Sequence, residues 1–385
     1  MRSFQIRQAL KQFGRVDTIV LEDADNACDH ATSVASDSEE CLPLAVRAKP
    51  PHNLFQTVNW ALNPRSYWPH GMAAERDTLE RFVHMRRRCD LIWFFKLRSA
   101  NVFPQWDWPS SVVDIDDVPS MFERSVLQTT RSIPERISTA VRVWSWRRRE
   151  RLIGERFTVL TVCSEADKQY LRNLGVEGPI HVVANGFDRP NVPPKRTLSE
   201  PAHIGFIGIF DHAPNLDGIG WFVKQCWPRI KMQVPNARLR LIGRLSDGPL
   251  KPAGTDIDAL GWMADPTSEM ATWSSMIVPV HLGAGTRGKI AHAFSEKCPV
   301  VSTRIGAYGY DARDGVDMFL ADSAEAFAEA CVRTVRQPAM AAAVAERAWQ
   351  RFLERWTWDA IRPHVWAAAD DCLRMNASER YAANL

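Results

Sequence analysis

Two parallel α/β domains in tandem are predicted by three observations. The chain has 385 residues, more than one hydrophobic core usually organises. Short apolar runs rich in β-branched residues alternate with stretches of helical period, the pattern of parallel sheets covered on both faces. The alternation stops at Asp188–Pro201, a segment with four prolines that reads as a linker of restricted flexibility, and restarts after it. A first domain is therefore placed at 1–187, the linker at 188–201, a second domain at 202–355, and a helical tail at 356–385 that crosses back to the first domain.

In order, Met1–Phe13 has helical periodicity through Phe4, Ile6, Ala9, Leu10 and Phe13, and Gly14 ends it. Val16–Leu21 is a strand, Glu22–Pro51 a long polar loop, and His52–Trp68 partly helical. Arg76–Arg88 is a helix, and Cys89–Phe95 and Ser111–Ile115 are strands. A long helical stretch runs from Ser120 to about Glu155. Thr158–Cys163 is a strand, and Ser164 with Asp167 has the pattern of a helix cap. Ile180–Val183 is the last strand before the turn at Asn185-Gly186. An α/β domain of this kind normally opens on a strand and a glycine loop. Because this chain opens on a helix, the first strand is apparently missing, and we favour a start upstream of Met1.

Beyond the linker, His203–Ile209 is a strand and Leu216–Val234 a helix interrupted at Pro228. Arg238–Ile242 is a strand ending at Gly243-Arg244, and Asp256–Leu260 leads to Gly261-Trp262. Pro266–Trp273 is a short helix, Met276–Val280 a buried strand and Pro299–Ser302 the next strand. Ala324–Arg336, Met340–Arg355 and Trp358–Met375 are helices.

The chemistry concentrates between Val280 and Ile290. Gly283 and Gly285 let a ligand approach the main chain, Thr286 can cap the following helix, and Arg287 and Lys289 sit in its first turn. Bare N–H groups, a helix dipole and two cations make an anion site, most naturally for phosphate. Gly283-x4-Gly288-Lys289 nearly spells a nucleotide-binding P-loop, but Ile290 stands where a magnesium-binding Ser or Thr is required. Two such domains with a helical tail describe a GT-B-like architecture: two Rossmann-like parallel-sheet domains facing a cleft, the cleft being the default site.

Composition excludes several classes. A net charge of +3 is too mild to argue for nucleic acid. The eight cysteines form no CxxC pair, which fits reduced, buried thiols in a cytoplasmic protein better than disulfides or zinc. No run of about 18 apolar residues exists to span a membrane. Arg142–Arg156, with Trp144, Trp146 and Arg147–Arg149, reads either as a helix lying on anionic lipid or as a solvated basic face whose tryptophans pack on the sheet; the second is favoured.

At this point the second half resembles the bacterial family 4 (group 1) glycosyltransferases. The matching segments are HIGFIGIFDHAPNLDGIGWFVKQCWPRI, PNARLRLIG, LGWMAD, VPVHLGAGTRGKIAHAFSEKCPVVSTRIGAYG and DGVDMFLADSAEAFAEA. In the first half, VLTVCSEADKQYLRNLG with HVVANGFD looks like the family's segment before its linker, and VVDIDDVPS like its acceptor-domain segment. The resemblance spans roughly residues 110–360 and is strongest from Ser199 to Arg333.

It implies a retaining transferase with no cofactor and no catalytic metal, the second domain holding a nucleotide-diphosphate sugar and the first a glycan or lipid-linked acceptor. Gly208, Phe210 and Asp211 would lie near the sugar and diphosphate, and Gly243, Arg244, Gly261 and Trp262 around the base. Gly283, Gly285, Thr286, Arg287 and Lys289 would hold the diphosphate, the last two stabilising the departing nucleotide. Asp116 or Asp117 could orient or deprotonate the acceptor hydroxyl, or simply precede Pro119 as helix caps. Three positions depart from the family pattern. His292 replaces a glutamate that binds the ribose hydroxyls, Ala284 replaces another glutamate, and Tyr308 stands in a loop that often reads Gly-Ala-Glu-Gly. Glu296, one turn beyond His292, could partly substitute.

The expected role is surface polysaccharide assembly in the cytoplasm, with contact at the inner membrane face if the Arg/Trp helix binds lipid. A nucleotide-sugar epimerase shares the two-domain fold but should carry more carboxylates in the cleft. A degenerate, non-catalytic GT-B subunit acting as a scaffold is the alternative that His292, Ala284 and Tyr308 motivate.

Overall fold

The structure, a computed structural model, describes residues 2–23, 41–48, 58–59, 61–65, 72–74, 76–103, 105–130, 132–192 and 194–382. The chain divides into two units. One is Met1–Arg124 with Arg131–Val183 and Arg362–Leu385, the other Ser125–Thr130 with Ala184–Ile361.

In the first unit, helix α1 (Arg2–Leu10) runs into a 3-10 turn, and Gly14, at φ +135°, ends it. Strand β1 (Thr18–Asp23) pairs in parallel with β2 (Cys41–Ala48), and β3 (Met72–Ala74) runs antiparallel to β2. The sequence reading had only a polar loop over Glu22–Pro51. Its average polarity hides CLPLAVRA, whose Val46 is fully buried. The rest of that loop and most of His52–Trp68 lie outside the described residues.

Helix α2 (Arg76–Arg86) leads to the second sheet, β4 (Ile92–Phe95), β5 (Trp108–Ile115), β6 (Phe157–Val162) and β7 (Ile180–Val182), in that order and all parallel. Its core is aromatic. Trp108 sits edge-on to Phe94 at 4.7 Å, and Phe103 stacks on Phe82 at 4.1 Å. The single long helix expected from Ser120 is instead α3 (Pro119–Thr129) and α4 (Ile133–Arg151), followed by a short turn at Ile153–Arg156. Pro134, in the first turn of α4, has no N–H to give to a preceding turn and a φ suited to a helix start, so a new helix begins there. Helix α5 (Glu165–Asn173) starts as expected, with Ser164 Oγ accepting from Asp167 N–H at 3.1 Å.

Arg2 fastens α1 to this sheet. Its Nε and Nη2 donate to the two oxygens of Asp114 at 2.9 and 2.6 Å, and Nη2 also donates to Val183 O at 2.8 Å. Thr161 Oγ1 donates to the same carboxylate at 2.7 Å, and Asp114 is wholly buried. Asp114 thus ends β5 as an anchor for α1.

The second unit begins with β8 (His203–Ile207) and α6 (Ala213–Trp221), followed by a π-helical turn, Phe222–Cys226, and α7 (Trp227–Gln233). The interruption expected at Pro228 is that wider turn: proline has no N–H to give the preceding turn, and the extra residue takes up the mismatch. Strands β9 (Arg238–Ile242), β10 (Ile257–Ala259), β11 (Trp273–Val278), β12 (Val300–Ser302) and β13 (Phe319–Leu320) complete the sheet. Its order is β10-β9-β8-β11-β12-β13, every pairing parallel. The order reverses between β8 and β11, so the loops after these two strands lie side by side at the sheet's carboxyl edge. Helix α8 (Gly288–Ser295) follows β11, and α9 (Ala324–Arg336), α10 (Pro338–Arg355) and α11 (Trp358–Ala382) close the chain.

Strand β11 starts three residues earlier than expected, at Trp273, whose buried ring fills the space over Gly205 on β8. A Cβ at residue 205 would lie within that ring, so Gly205→Ala should cost about 1–3 kcal/mol in urea unfolding. A loss under about 0.5 kcal/mol would show that Trp273 can move aside. From Arg362 onward α11 belongs to the first unit: Trp366 Nε1 donates to Ala9 O at 2.8 Å, and Ala368 and Cys372 pack on Val112 and Val159. Cys163, Cys226, Cys298, Cys331 and Cys372 are buried free thiols.

Candidate functional site

Two loops of the second unit build the site. The first follows β8. Gly208 N–H donates to Ile242 O at 3.0 Å, and Gly243, at φ +132°, presses its α-carbon against Gly208 O, where no Cβ would fit. Phe210 is fully buried, edge-on to Phe206 at 5.6 Å, so it is a core residue that holds the loop. Asp211 pairs with Arg244 at 2.8 Å, both exposed. Gly243 N–H donates to Gly261 O at 2.9 Å, and Trp262 beside it is 72% exposed. Apart from Phe210, which is buried in the core and not at the surface as expected, Gly208, Asp211, Gly243, Arg244, Gly261 and Trp262 form one contiguous edge.

The second loop, after β11, is left-handed at Gly283 (φ +107°) and Gly285 (φ +74°). Arg287 closes it from within. Its guanidinium donates to Leu282 O at 3.1 Å, Ala284 O at 2.7 Å and Gly285 O. Gly283 N–H donates to Ser125 Oγ at 2.8 Å, Ser125 lying in the 125–130 segment that belongs to this unit. Thr286 does not cap α8, contrary to the sequence reading. The cap position is Arg287, and Thr286 Oγ1 instead accepts from Asn185 Nδ2 at 2.9 Å. Buried Tyr310 secures that start, donating to Arg287 O at 2.9 Å and accepting from Ala291 N–H at 3.2 Å.

Lys289 joins the two loops. Its Nζ donates to Asn215 Oδ1 at 2.9 Å and lies 4.2 Å from the centre of the Phe206 ring. Asn215 Nδ2 donates in turn to Ile209 O at 3.0 Å. Burial, reinforced by the charge of Arg287, pushes the Lys289 pKa down to about 7. His212, next to α6, is lowered by burial and by the charges of Lys289 and Arg287. His212 and Asn215 escape a sequence reading: both lie more than seventy residues before Lys289, and only the strand order brings them beside it. Among the described residues no carboxylate pairs with Lys289, and its positive charge against a glycine turn and a helix N-terminus is an arrangement that takes an anion.

His292 lies further along α8. Its ring stacks on Phe187 at 4.4 Å and 16°, and burial drops its pKa to about 4, so it is neutral at pH 7. Glu296 is buried at the end of α8, where Oε1 accepts from Thr267 Oγ1 at 3.3 Å. In the first unit, half-buried Asp116 pairs with Lys96 at 2.9 Å, and Asp117 is exposed just after β5.

Residues 201–337 match the family model described as glycosyl transferases group 1. No curated protein matches the chain at a significant level. Among solved structures, a glycosyltransferase from Rickettsia africae has a TM-score of 0.61 at 13% identity, covering 96% of this chain and 94% of that one. Sucrose-phosphate synthase from Thermosynechococcus elongatus has a TM-score of 0.59 at 17% identity, covering 100% and 93%. HepE from Anabaena, solved in complex with UDP and glucose, has a TM-score of 0.57 at 14% identity, covering 94% of each. The chain thus has the GT-B fold, two Rossmann-like parallel-sheet domains with a helical tail, and over residues 201–337 it matches the group 1 glycosyl transferases.

Proposed function

We propose that the chain is a retaining, metal-independent glycosyltransferase that moves a hexose-type sugar from a nucleotide-diphosphate sugar to a glycan or lipid-linked acceptor, in surface polysaccharide assembly on the cytoplasmic side. The observation that carries this reading is the join of Lys289, Asn215 and the double-glycine loop at the start of α8. A diphosphate placed there would meet main-chain N–H groups and a lysine that regains its proton as the anion arrives. The family match and the UDP and glucose bound by HepE support the donor class.

In this reading the bond from the anomeric carbon to the phosphate oxygen breaks while the acceptor oxygen bonds to the same face. The acceptor proton passes to the leaving phosphate, or to Asp116 or Asp117. Lys289 offsets the charge gathering on the diphosphate, and Arg287 keeps the loop curled so that its N–H groups face the ligand. Trp262, Arg244 and Gly261 would border the base, and neutral His292 offers the ribose one hydrogen bond where a carboxylate would offer more.

The test is a thermal-shift panel of UDP, GDP, ADP, CMP and dTDP sugars on the full chain. One nucleotide should raise the transition, by about 2.7 kcal/mol at 100 times Kd, and Arg287→Ala should abolish the shift. The stacking of His292 on Phe187 favours one rival, a non-catalytic GT-B subunit. Silence across the panel from a folded chain would decide for it.

A further inference from the structure

Helix α4 carries an outward face that the donor site does not use. Ile133 is 71% exposed, Ile137 63%, Val141 46% and Trp144 47%. At 100° per residue these four fall within one arc of about 80°, a continuous apolar stripe about 17 Å long. Arg148 and Arg151 lie on the same arc, and exposed Arg147 lies about 40° outside its edge. The Arg148 guanidinium lies 4.6 Å from the centre of the Trp144 ring. No carboxylate lies on the arc. Glu135 leaves the helix about 180° from Trp144, and Glu150 is buried on the inner side, where it accepts from Ser120 N–H at 2.8 Å.

The inner side explains why the Arg/Trp pattern is ambiguous in the sequence. Trp146 turns inward and lines a cavity with Trp106, Ile153 and Arg156. Arg149 turns inward as well, donating to Ser145 O at 3.1 Å and Asn63 O at 2.9 Å. Trp146 and Arg149 thus belong to the fold. The outward set starts eleven residues before Trp144, at Ile133.

We propose that α4 lies flat on an anionic lipid surface, its Ile133–Trp144 stripe in the acyl boundary and Arg147, Arg148 and Arg151 on the phosphates. Charge complementarity selects this occupant. A stripe meant for a second copy of the same helix would bring the arginine clusters together or face them with nothing acidic, whereas a headgroup layer supplies anions at the depth that stripe residues and flanking arginines require. No helix among the described residues is long and apolar enough to cross a membrane, so the contact is peripheral.

The experiment is co-sedimentation of the full chain with vesicles of phosphatidylcholine alone and of phosphatidylcholine mixed with phosphatidylglycerol, at low and high salt. Capture should require phosphatidylglycerol and weaken with salt. Arg147→Ala with Arg148→Ala should weaken it about thirtyfold, and Ile137→Ser with Trp144→Ser at least about tenfold, with unchanged circular dichroism and melting. The substituted side chains are exposed or half-buried, and Ile133→Ser in the first turn repeats the test should either pair disturb folding. Equal capture by neutral vesicles, no capture of the folded chain, or vesicle-free self-association that the serine pair abolishes would overturn the proposal.

Discussion

A Lys289→Met chain should bind its nucleotide-diphosphate sugar about a hundredfold more weakly while being about 1 kcal/mol more stable without it. The two effects have one origin. In the free protein Lys289 is enclosed with Asn215 as its hydrogen-bond partner and, among the described residues, no paired carboxylate, so its charge is costly there. Methionine fills similar volume with no charge, and the gain exceeds the loss at Asn215 Oδ1. In the complex the same ammonium faces a diphosphate, and its loss leaves the anion short of a cation.

The pH dependence follows with a definite sign. The Lys289 pKa falls from 10.5 to about 7 on folding. Between those values the unfolded chain holds a proton there that the folded chain lacks. This residue therefore makes stability rise with pH across that window, and its penalty is full below about pH 7. A bound diphosphate reverses the preference, so binding above pH 7 takes up a proton and weakens by up to about tenfold per pH unit. Calorimetry in two buffers of different ionisation enthalpy at pH 8 should report that proton in the parent and none in Lys289→Met. Equal affinity of the two proteins would remove Lys289 from the donor site.

The largest loss of stability is expected at the other end of the chain. Arg2→Ala should cost the first unit about 3–5 kcal/mol, because it strands a fully buried carboxylate. Burial works against the Arg2 charge, but Asp114 outweighs it and holds the guanidinium pKa above its ordinary value. Thr161 alone cannot replace two charged donors and the tie to Val183 O. The pair Arg2→Met with Asp114→Asn, which removes both charges, should recover most of the loss. Hydrogen exchange of β5 and β6 in the full chain reads this unit separately, as a two-unit protein need not unfold in one step. A loss below about 1 kcal/mol would mean that water reaches Asp114 once the arginine is gone.

Much of the fold is legible in the chain because its strands are short buried runs and its helices carry clear ends. Arg238–Ile242 and Ala324–Arg336 have the same bounds in the sequence reading and in the structure. Cys41–Ala48 is not legible, being an apolar run inside a long polar one, and two-residue β13 is too short to show any period. In the site, Gly283, Gly285 and Lys289 announce themselves locally. The partners that define Lys289, Asn215 and Phe206, are contributed by β8 and the turn after it, and only sheet order relates them. Likewise nothing in the chain marks Asp114 as the partner of Arg2; only the packing of α1 on the sheet brings the two together.

The discontinuity of the first unit bears on how the chain is made. Val112 and Val159 wait for Ala368 and Cys372, whereas the residues of the second unit end at Ile361. At about 5–20 residues per second the ribosome needs roughly 10–40 s to add the intervening 200 or so residues. Through that interval one face of β5 and β6 is without its cover. The second unit has all its residues by Ile361, so the unit that is begun first is the last to be completed.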